Sequence, residues 1–473
     1  MMDLLRRKLV GSLGLGIVGS ALNEPSVGRV IRHAVSAGPH REPEGADTLK
    51  ASSANLSGRG KDENQLLQYL RNVAPKLLRP GGRVLRYPSL SPSLPGATYS
   101  TQLWDWDTLW TGRALFRLCK LIQDHNLHRR VSEHVQGSVL NFLDHQSIDG
   151  RIPIMISESN PDPFGCLKPV SPDYRNQAKP VIAQLALLVA SETGDIEWLR
   201  PVFDQIKLFL ASWKSGNESS TGLLVWGDDV GIGDDNDPTT FGRPFFSSAN
   251  LLLNCLYYQE LLAAVELANR LKCINDARRF ESLARILRDK IQECCWDPRD
   301  RFFYTVDVQC VDRRSELIPD VREGMPMSWN CLPLRIQVFT GFLPLWCHLA
   351  THEQADDLVM LHYLNEETFN APFGVRSLSK RETMYSLAYS SDPSNWLGPV
   401  WIIVNYFVWK GLKNYGFNKE ADELANKTVM LLAEDLSAHG SLDEYYDPDT
   451  GRPLSHHGFL DWNMLVLEMI GPD

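Results

Sequence analysis

The segment Trp226–Pro244 holds five aspartates, four glycines and two prolines in one stretch without periodicity. A largely apolar run that predicts a helix follows from Ser247 to Lys272. Carboxylates crowded in this way repel one another, and burial would remove their hydration. Both effects favour a carboxylic acid that keeps its proton near neutral pH and can donate it during a reaction. The segment therefore predicts a general acid.

Two other roles for these aspartates stay open. An EF-hand needs acidic residues at its first, third and fifth positions and glycine at the sixth, and no start position in the segment fits that pattern. Only an irregular calcium site remains as an alternative. Aspartate side chains also accept hydrogen bonds from the backbone of turns, and we assign that role to Asp228 and Asp237.

A second group of chemically suggestive residues follows Tyr87. Trp104 and Trp106 alternate with two aspartates, the second of which is Asp107. An indole can stack on the C–H face of a sugar, while a carboxylate accepts hydrogen bonds from its hydroxyls. We therefore predict that Trp104, Trp106 and Asp107 bind a sugar. The alternative is a helix start with Asp107 as N-cap and the tryptophans in the core.

Two further loops combine tryptophan with acidic and aromatic residues. Trp396 and Trp401 flank a Gly-Pro pair, so they either shape a ligand site or pack inside a helix that starts at proline. In the segment 440–462, Glu444 and Tyr445 precede a turn of composition Asp-Pro-Asp-Thr-Gly. The adjacent pair His456-His457 lacks the spacing of a zinc-binding helix, so we predict no metal ion.

These four loops must be positioned by helices, because helical periodicity dominates from residue 62 onward. Strand-forming residues are confined to short pieces such as Arg301–Asp307. No repeat of fixed period occurs, which argues against a helical solenoid. Helical hairpins closed into a toroid would place the loops together at one end, although periodicity alone cannot show closure. The predicted helices cover residues 62–78, 107–126, 128–145, 180–193, 195–214, 247–272, 275–295, 335–350, 352–364, 397–414, 418–437 and 457–470.

The first 60 residues differ in composition from the rest. Arg6-Arg7-Lys8 precedes a weakly apolar stretch up to Leu22, as in a signal peptide of the twin-arginine type. Residues 23–60 are rich in glycine, serine, proline and charge, which predicts a disordered linker. We therefore divide the chain into a leader and linker, 1–60, and a catalytic domain, 61–473. A cytoplasmic protein with an N-terminal extension is slightly favoured over an exported one.

Bulk composition excludes several classes of partner. The net charge is -10 and no basic stripe appears beyond the leader, so we expect no nucleic acid partner. The apolar leader is too short and glycine-rich for a membrane span, so no integral membrane domain is expected. Nine scattered cysteines without a CxxC pair indicate neither a disulfide framework nor a zinc site. A small molecule or oligosaccharide remains as the expected substrate.

The four loops, in their order along the chain, resemble family 63 of the glycoside hydrolases. The similar motifs are Gln-x-Trp-x-Trp-Asp-Thr, Gly-x-Asp-Asn-Asp-Pro, Trp-x-Gly-Pro-Val-Trp and Glu-Tyr-Tyr-Asp-Pro-x-Thr-Gly, spread over residues 85–470. The bacterial mannosylglycerate and glucosylglycerate hydrolases are the most similar members, and trehalases resemble the chain more distantly. The resemblance implies an all-α (α/α)6 toroid with long active-site loops and minor β-hairpins. It also implies inverting hydrolysis of an α-glycoside without metal or cofactor.

The resemblance assigns roles to individual residues. Asp235 takes the place of the general acid and Glu444 that of the general base, with their carboxyls about 6.5–9.5 Å apart in an inverting enzyme. Leu397 stands where relatives carry arginine, so the resemblance does not specify the substrate. Arg243, Lys179 and Arg452 are the candidate cations for a carboxylate aglycone. The predicted substrate-binding residues are Trp104, Trp106, Asp107, Gln177, Arg243, Trp396, Trp401, Tyr445 and His457.

Glucose and mannose differ at one hydroxyl, so the sequence leaves the sugar, the aglycone and the oligomeric state open. Two functions other than hydrolysis also stay open. A carbohydrate-binding toroid would keep the aromatic loops without an acid–base pair. A sugar isomerase or epimerase on the same barrel would use histidine chemistry, with His456 or His457 as the candidates.

Overall fold

A computed structural model describes residues 47–168, 175–310, 329–388 and 394–471, with side chains from residue 59 onward. The residues from 53 onward group into one compact unit. The predicted leader, up to residue 46, lies outside the described residues. Within the described part the helices are α1 Asp47–Val73, α2 Asp105–Ile122, α3 His125–Asp144, α4 Ile182–Thr193, α5 Phe203–Asn217, α6 Leu251–Arg270, α7 Ile274–Cys295, α8 Leu343–Trp346, α9 His352–Asp357, α10 Ile402–Asn414, α11 Asn418–His439 and α12 Val466–Met469.

The helices close into a ring. Contacts run from α2 to α4, α6, α8 and α10 in turn, then to the C-terminal 3-10 turn Trp462–Leu465 and α12, which pack back against α2. Helices α3, α7 and α11 each pack against a member of this ring. Tyr257 in α6 ties α5 to the ring by donating a hydrogen bond to the Leu210 carbonyl at 3.0 Å. This cycle of contacts is the closed toroid that the sequence could only suggest.

Inner and outer helices differ in their hydrophobic patterns. Helix α6 is apolar along most of its length and mostly buried, although its length and hydropathy would also suit a membrane span. Its N-terminus is capped by Asn250, whose side chain accepts a hydrogen bond from the Leu253 amide. Helix α7 instead buries one stripe at three- and four-residue spacing, as expected for a helix with one solvent-facing side. That stripe consists of Ala277, Phe280, Ala284, Leu287, Ile291 and Cys295.

Several predicted boundaries are wrong. Helix α1 begins at Asp47, earlier than the predicted start at residue 62. It ends at Val73, where Pro75 enters a 3-10 turn, as the sequence indicated. The predicted helix 335–350 is reduced to the 3-10 turn Phe339–Phe342 and the single turn of α8, with Pro344 in its first turn. Backbone hydrogen bonding to the neighbouring loops replaces the longer helix there.

Short antiparallel strands join the loops between helices and account for the predicted minor β-hairpins. Strand β3 pairs with β4, and β12 pairs with β13 through a bulge between Tyr445 and Tyr446. The other pairs are β1–β2, β5–β8–β9, β6–β7 and β10–β11. The described strands are β1 Leu78–Arg79, β2 Ser89–Leu90, β3 Gln102–Trp104, β4 Met155–Ser157, β5 Ser248–Ala249, β6 Trp296–Asp297, β7 Phe302–Phe303, β8 Val306–Asp307, β9 Leu332–Pro333, β10 Asn370–Ala371, β11 Gly374–Val375, β12 Tyr445–Tyr446 and β13 Pro453–Ser455.

Candidate active site

One cavity collects residues from all four loops, which are numbered by their order along the chain. The first loop holds Trp104 and Trp106, the second is the segment Trp226–Pro244, the third holds Trp396 and Trp401, and the fourth is the segment 440–462. It contains about 450 Å³ of empty space and is open to solvent. Asp235 and Glu444, which are far apart in the chain, both line it. The full set of lining residues is Tyr99, Trp104, Trp106, Asp107, Lys179, Gly231, Gly233, Asp235, Ser394, Glu444 and Trp462.

Asp235 is half-buried in the acidic loop, and the residue after it anchors the chain. The Asn236 side-chain oxygen accepts a hydrogen bond from the Trp396 amide at 2.7 Å. Its nitrogen donates to the Asn395 side-chain oxygen at 3.1 Å. These bonds tie the second loop to the third, and they hold Asp235 at the cavity wall.

Asp234 and Asp237 form a buried carboxyl pair, and Asp235 and Asn236 lie between them in the sequence. Asp237 accepts hydrogen bonds from the Thr239 amide at 2.8 Å, the Thr239 hydroxyl at 2.7 Å and Asn250 at 2.8 Å. Burial, and then the charge of Asp237, raise the pKa of Asp234 well above its usual range. Both effects favour the protonated, neutral form of Asp234 beside Asp237.

The remaining aspartates of the loop include the predicted turn formers. Asp228 accepts hydrogen bonds from the Val230 amide at 3.1 Å and from Asn176 at 2.9 Å. It also pairs with Arg175 at 2.8 Å. The turn-forming roles predicted for Asp228 and Asp237 are confirmed. The described residues contain no group of three or more His, Cys, Asp and Glu side chains arranged to hold a metal ion.

Glu444 faces the cavity from the residue before β12. Its amide donates to the Ser455 carbonyl at 2.9 Å, and its carbonyl accepts from the Trp462 indole at 3.1 Å. Its buried carboxyl hydrogen-bonds to the Nδ1 atom of His456. Backbone and side chain are thus both held in place, which fixes the direction of the carboxyl.

The first loop supplies aromatic faces and a carboxyl. Helix α2 begins at Asp105, so Asp107 lies in its first turn and is not the N-cap. Trp104 is half-buried, whereas Trp106 is almost fully buried at the cavity wall. Burial, and then the charge of Asp105, raise the pKa of Asp107 to about 7. An ionised carboxyl at the wall of this cavity can accept hydrogen bonds from the hydroxyls of a sugar.

Lys179 is the cation among the described residues that line the cavity. Its ammonium group lies 3.0 Å from Asp105, and both side chains are almost fully buried. It also donates to the Gly231 carbonyl at 3.1 Å and lies 5.4 Å from the ring centre of Trp106. Its charge is therefore balanced within the protein, and it braces the first loop against the second.

Three aromatic residues that the sequence assigned to substrate binding lie behind the cavity wall. Trp396 and Trp401 are stacked with ring centres 3.9 Å apart and are buried. Tyr445 stacks on the other side of Trp401 at 4.5 Å. Trp396 also contacts Trp106 at 6.4 Å. The stack supports the wall, and none of its three members is part of the cavity lining.

The structure does not bring Gln177, Arg243 or His457 to the cavity lining. Gln177 is buried and accepts a hydrogen bond from Ser212 at 3.1 Å. Arg243 forms an ion pair with Asp307 in β8 and donates to the Ser248 hydroxyl. The Nδ1 atom of His457 forms a hydrogen bond with the Asp443 carboxyl at 3.0 Å, and more than half of the His457 side chain is exposed to solvent. Each of these side chains is engaged by a neighbouring element instead.

Sequence reasoning missed several lining residues. Trp462 follows the His-His-Gly segment in the 3-10 turn that closes the ring, and its proximity to Glu444 could not be read from spacing. Gly233 adopts φ of +103°, and a Cβ atom there would lie 3.0 Å from the Trp106 ring. Glycine suits this position because it adopts a positive φ without steric cost and places no Cβ atom against the indole. The others are Tyr99, Gly231 and Ser394.

Residues 128–461 match the sequence model of the family described as the mannosylglycerate hydrolase MGH1-like glycoside hydrolase domain. The chain belongs to this family. The resemblance that the loop motifs indicated is therefore confirmed.

Relatives of this glycoside hydrolase domain include a mannosylglycerate hydrolase of Rubrobacter radiotolerans, 41% identical over 206 residues, which are 44% of this chain and 40% of that protein. The alignments with curated mannosylglycerate hydrolases span between 20% and 40% of those proteins' lengths. Among solved structures, the GH63 mannosylglycerate hydrolase of Thermus thermophilus in complex with glucose is similar with a TM-score of 0.60. It is 19% identical and covers 86% of this chain and 98% of that one.

A neutral trehalase of Saccharomyces cerevisiae has the same fold, with a TM-score of 0.58 and 17% identity over 81% of this chain and 74% of that one. These likenesses agree with the closed ring of helices, and the predicted (α/α)6 toroid is confirmed. The distant relation to trehalases is confirmed as well.

Proposed function

We propose that this glycoside hydrolase domain is an inverting glycosidase that hydrolyses an α-glucoside or α-mannoside of a small aglycone. Asp235 acts as the general acid and Glu444 as the general base. The observation that carries this proposal is that both carboxyls, supplied by distant loops, line one aromatic cavity. Inversion needs one carboxyl on each side of the bond to be cleaved.

The acid must protonate the glycosidic oxygen, because a sugar alkoxide is a poor leaving group. Asp235 is suited to this step because the Asn236 side chain fixes the loop immediately after it. The hydrogen bonds that Asp237 accepts from Thr239 and Asn250 hold the loop on the far side of Asn236. Asp235 is thereby presented to the cavity on a stiff segment, as proton transfer at a defined distance requires.

The base must remove a proton from the water that attacks the opposite face of the sugar. His456 supports this role, because a protonated Nδ1 atom donates to the Glu444 carboxylate and stabilises its ionised form. The histidine thus acts through Glu444, which argues for hydrolysis and against an isomerase that would use His456 directly.

Trp104, Trp106 and Trp462 supply indole surfaces to the cavity, and Asp107 supplies a hydroxyl-binding carboxyl. Among the three candidate cations for a carboxylate aglycone, Lys179 lines the cavity, while Arg243 is paired with Asp307. A glycerate aglycone would therefore have to approach Lys179, whose charge is already shared with Asp105.

A panel of α-glucosides and α-mannosides, including their glycerate conjugates, tests the proposal. Asp235→Asn and Glu444→Gln should each lower kcat by about 10²–10⁴-fold, the usual contribution of general acid or base catalysis. NMR of the first product should show the β-anomer. Asp234→Asn is the matched control, because it changes the adjacent carboxyl, which lies outside the cavity lining. Full activity in Asp235→Asn, or an α-anomer as first product, would contradict the assignment.

A further inference from the structure

Asp461 is a buried carboxyl for which the proposed reaction has no use. It lies just before the 3-10 turn that closes the ring and is fully buried. The Thr111 hydroxyl donates a hydrogen bond to its Oδ1 atom at 2.7 Å. Its Oδ2 atom is also buried and meets no donor among the described residues. An ionised carboxylate placed in this way would lose hydration without replacement, so the arrangement favours a protonated group.

The fold directs this group at the cavity wall. Asp107 and Thr111 are four residues apart on α2, so their side chains lie on one face of that helix. The Asp461 backbone is held against the first loop, because its amide donates to the Pro92 carbonyl at 3.0 Å. The carboxyls of Asp107 and Asp461 lie within hydrogen-bonding reach of each other. Asp107 therefore faces the cavity on one side and Asp461 on the other.

The surroundings decide where the shared proton resides. Burial, and then the charge of Asp107, raise the pKa of Asp461 well above its usual range. The hydrogen bond between the two carboxyls raises the pKa of Asp461 further but lowers that of Asp107. Asp461 is the more enclosed of the two, because its Oδ2 atom meets no donor among the described residues while Asp107 lines the open cavity, and we therefore take Asp461 as the donor and Asp107 as the acceptor. The charged and titratable groups around Asp107 are Asp105, Lys179 and Asp461 and, across the cavity, Asp235 and Glu444.

We propose that Asp461 is a positioning residue whose protonated carboxyl donates to Asp107 and so keeps Asp107 oriented as a charged acceptor for the sugar's hydroxyls. The inference rests on the proposed glycosidase function. One proton stays within the pair, and no bond of the substrate is formed or broken by it. Asp461 therefore contributes to the affinity for the sugar, whereas Asp235 and Glu444 contribute to the rate of the chemical step.

Infrared difference spectroscopy tests the shared proton without any substrate. Subtracting the spectrum of Asp461→Asn from that of the unmodified protein at pH 7 should leave a positive band from a protonated carboxyl. The subtraction removes the signal of Asp234, which both proteins contain. Thr111→Val is the control. Subtracting the spectrum of Asp461→Asn from that of Thr111→Val should leave the same band, because Thr111→Val removes a neighbour of Asp461 but not its proton. A difference spectrum without the band would overturn the proposal.

The pH profiles of KM and kcat test the role toward the sugar. Asp461→Ala removes the donor, so the inflection in KM should move at least about one pH unit upward and KM at pH 7 should rise about tenfold. The change in kcat should stay below about threefold. Asp461→Asn keeps an N–H donor and should return KM to within about threefold of its original value.

A KM profile in Asp461→Ala that matches the unmodified protein would overturn this role. So would an Asp461→Asn variant as impaired as Asp461→Ala. If the unmodified protein hydrolyses no glycoside, the proposed function fails and the role toward the sugar fails with it. The infrared band then still decides whether the two carboxyls share a proton.

Discussion

Replacing Asp234 with asparagine should make the protein's stability less sensitive to pH. Asp234 is fully buried beside Asp237, whose carboxylate already accepts hydrogen bonds from Thr239 and Asn250. Burial, and then the charge of Asp237, raise its pKa well above the usual 3.8. The folded protein therefore holds a proton that the unfolded chain releases near pH 4.

The sign and size of the effect follow from this difference. Because the folded pKa is raised, the stabilisation is complete below about pH 4 and is lost as pH rises toward the folded pKa. Each pH unit between the unfolded and the folded pKa costs at most about 1.4 kcal/mol, the equivalent of one proton, so stability should fall as the pH is raised above about 4. Asparagine is neutral throughout, and its amide can donate to Asp237. The variant should avoid most of that loss.

Equilibrium urea unfolding at pH 5, 6 and 7 measures the effect, provided that the slope with urea concentration is the same for both proteins. Asp107, Asp461 and Glu260 are other buried carboxyls, but both proteins contain them, so the difference between the two curves isolates the coupled pair of Asp234 and Asp237. The variant should also keep its glycosidase activity. Parallel stability curves would refute the reasoning, because they would mean that Asp234 is ionised in the folded protein.

Three other substitutions have defined outcomes. Lys179→Met should lower the free energy of unfolding by about 3–5 kcal/mol, because it leaves Asp105 buried without its partner. Urea unfolding measures this, and Lys179→Met combined with Asp105→Asn should recover much of the loss. Gly233→Ala should raise KM or lower expression of folded protein, because its Cβ would crowd the Trp106 ring; unchanged kinetics would contradict this. Trp401→Ala should cost about 3–5 kcal/mol of stability by emptying a stacked core position, and a neutral effect would show that the stack does not stabilise the fold.

The sequence by itself determined the class of fold and the loops that form the cavity. Helical periodicity depends on residues three and four apart, so α2, α6 and α11 could be found without knowledge of their neighbours. Loop composition is equally local, and the motifs around Asp235 and Glu444 were sufficient to indicate the family. Boundaries were less certain where propensity was weak. Helix α1 extends back to Asp47 through a stretch rich in glycine and serine.

Only the tertiary structure decided which side chains face the cavity. Trp104, Trp106, Trp396 and Trp401 occur in similar sequence contexts, yet the first pair lines the cavity and the second is stacked behind it. The ring closes through contacts between α2 and the C-terminal turn. These two elements are far apart in the sequence, and a periodic pattern gives no information about which distant elements meet. The raised pKa values of Asp234 and Asp461 also depend on the tertiary structure. Burial and the approach of a second carboxyl shift a pKa, and both depend on residues that meet only in the folded chain.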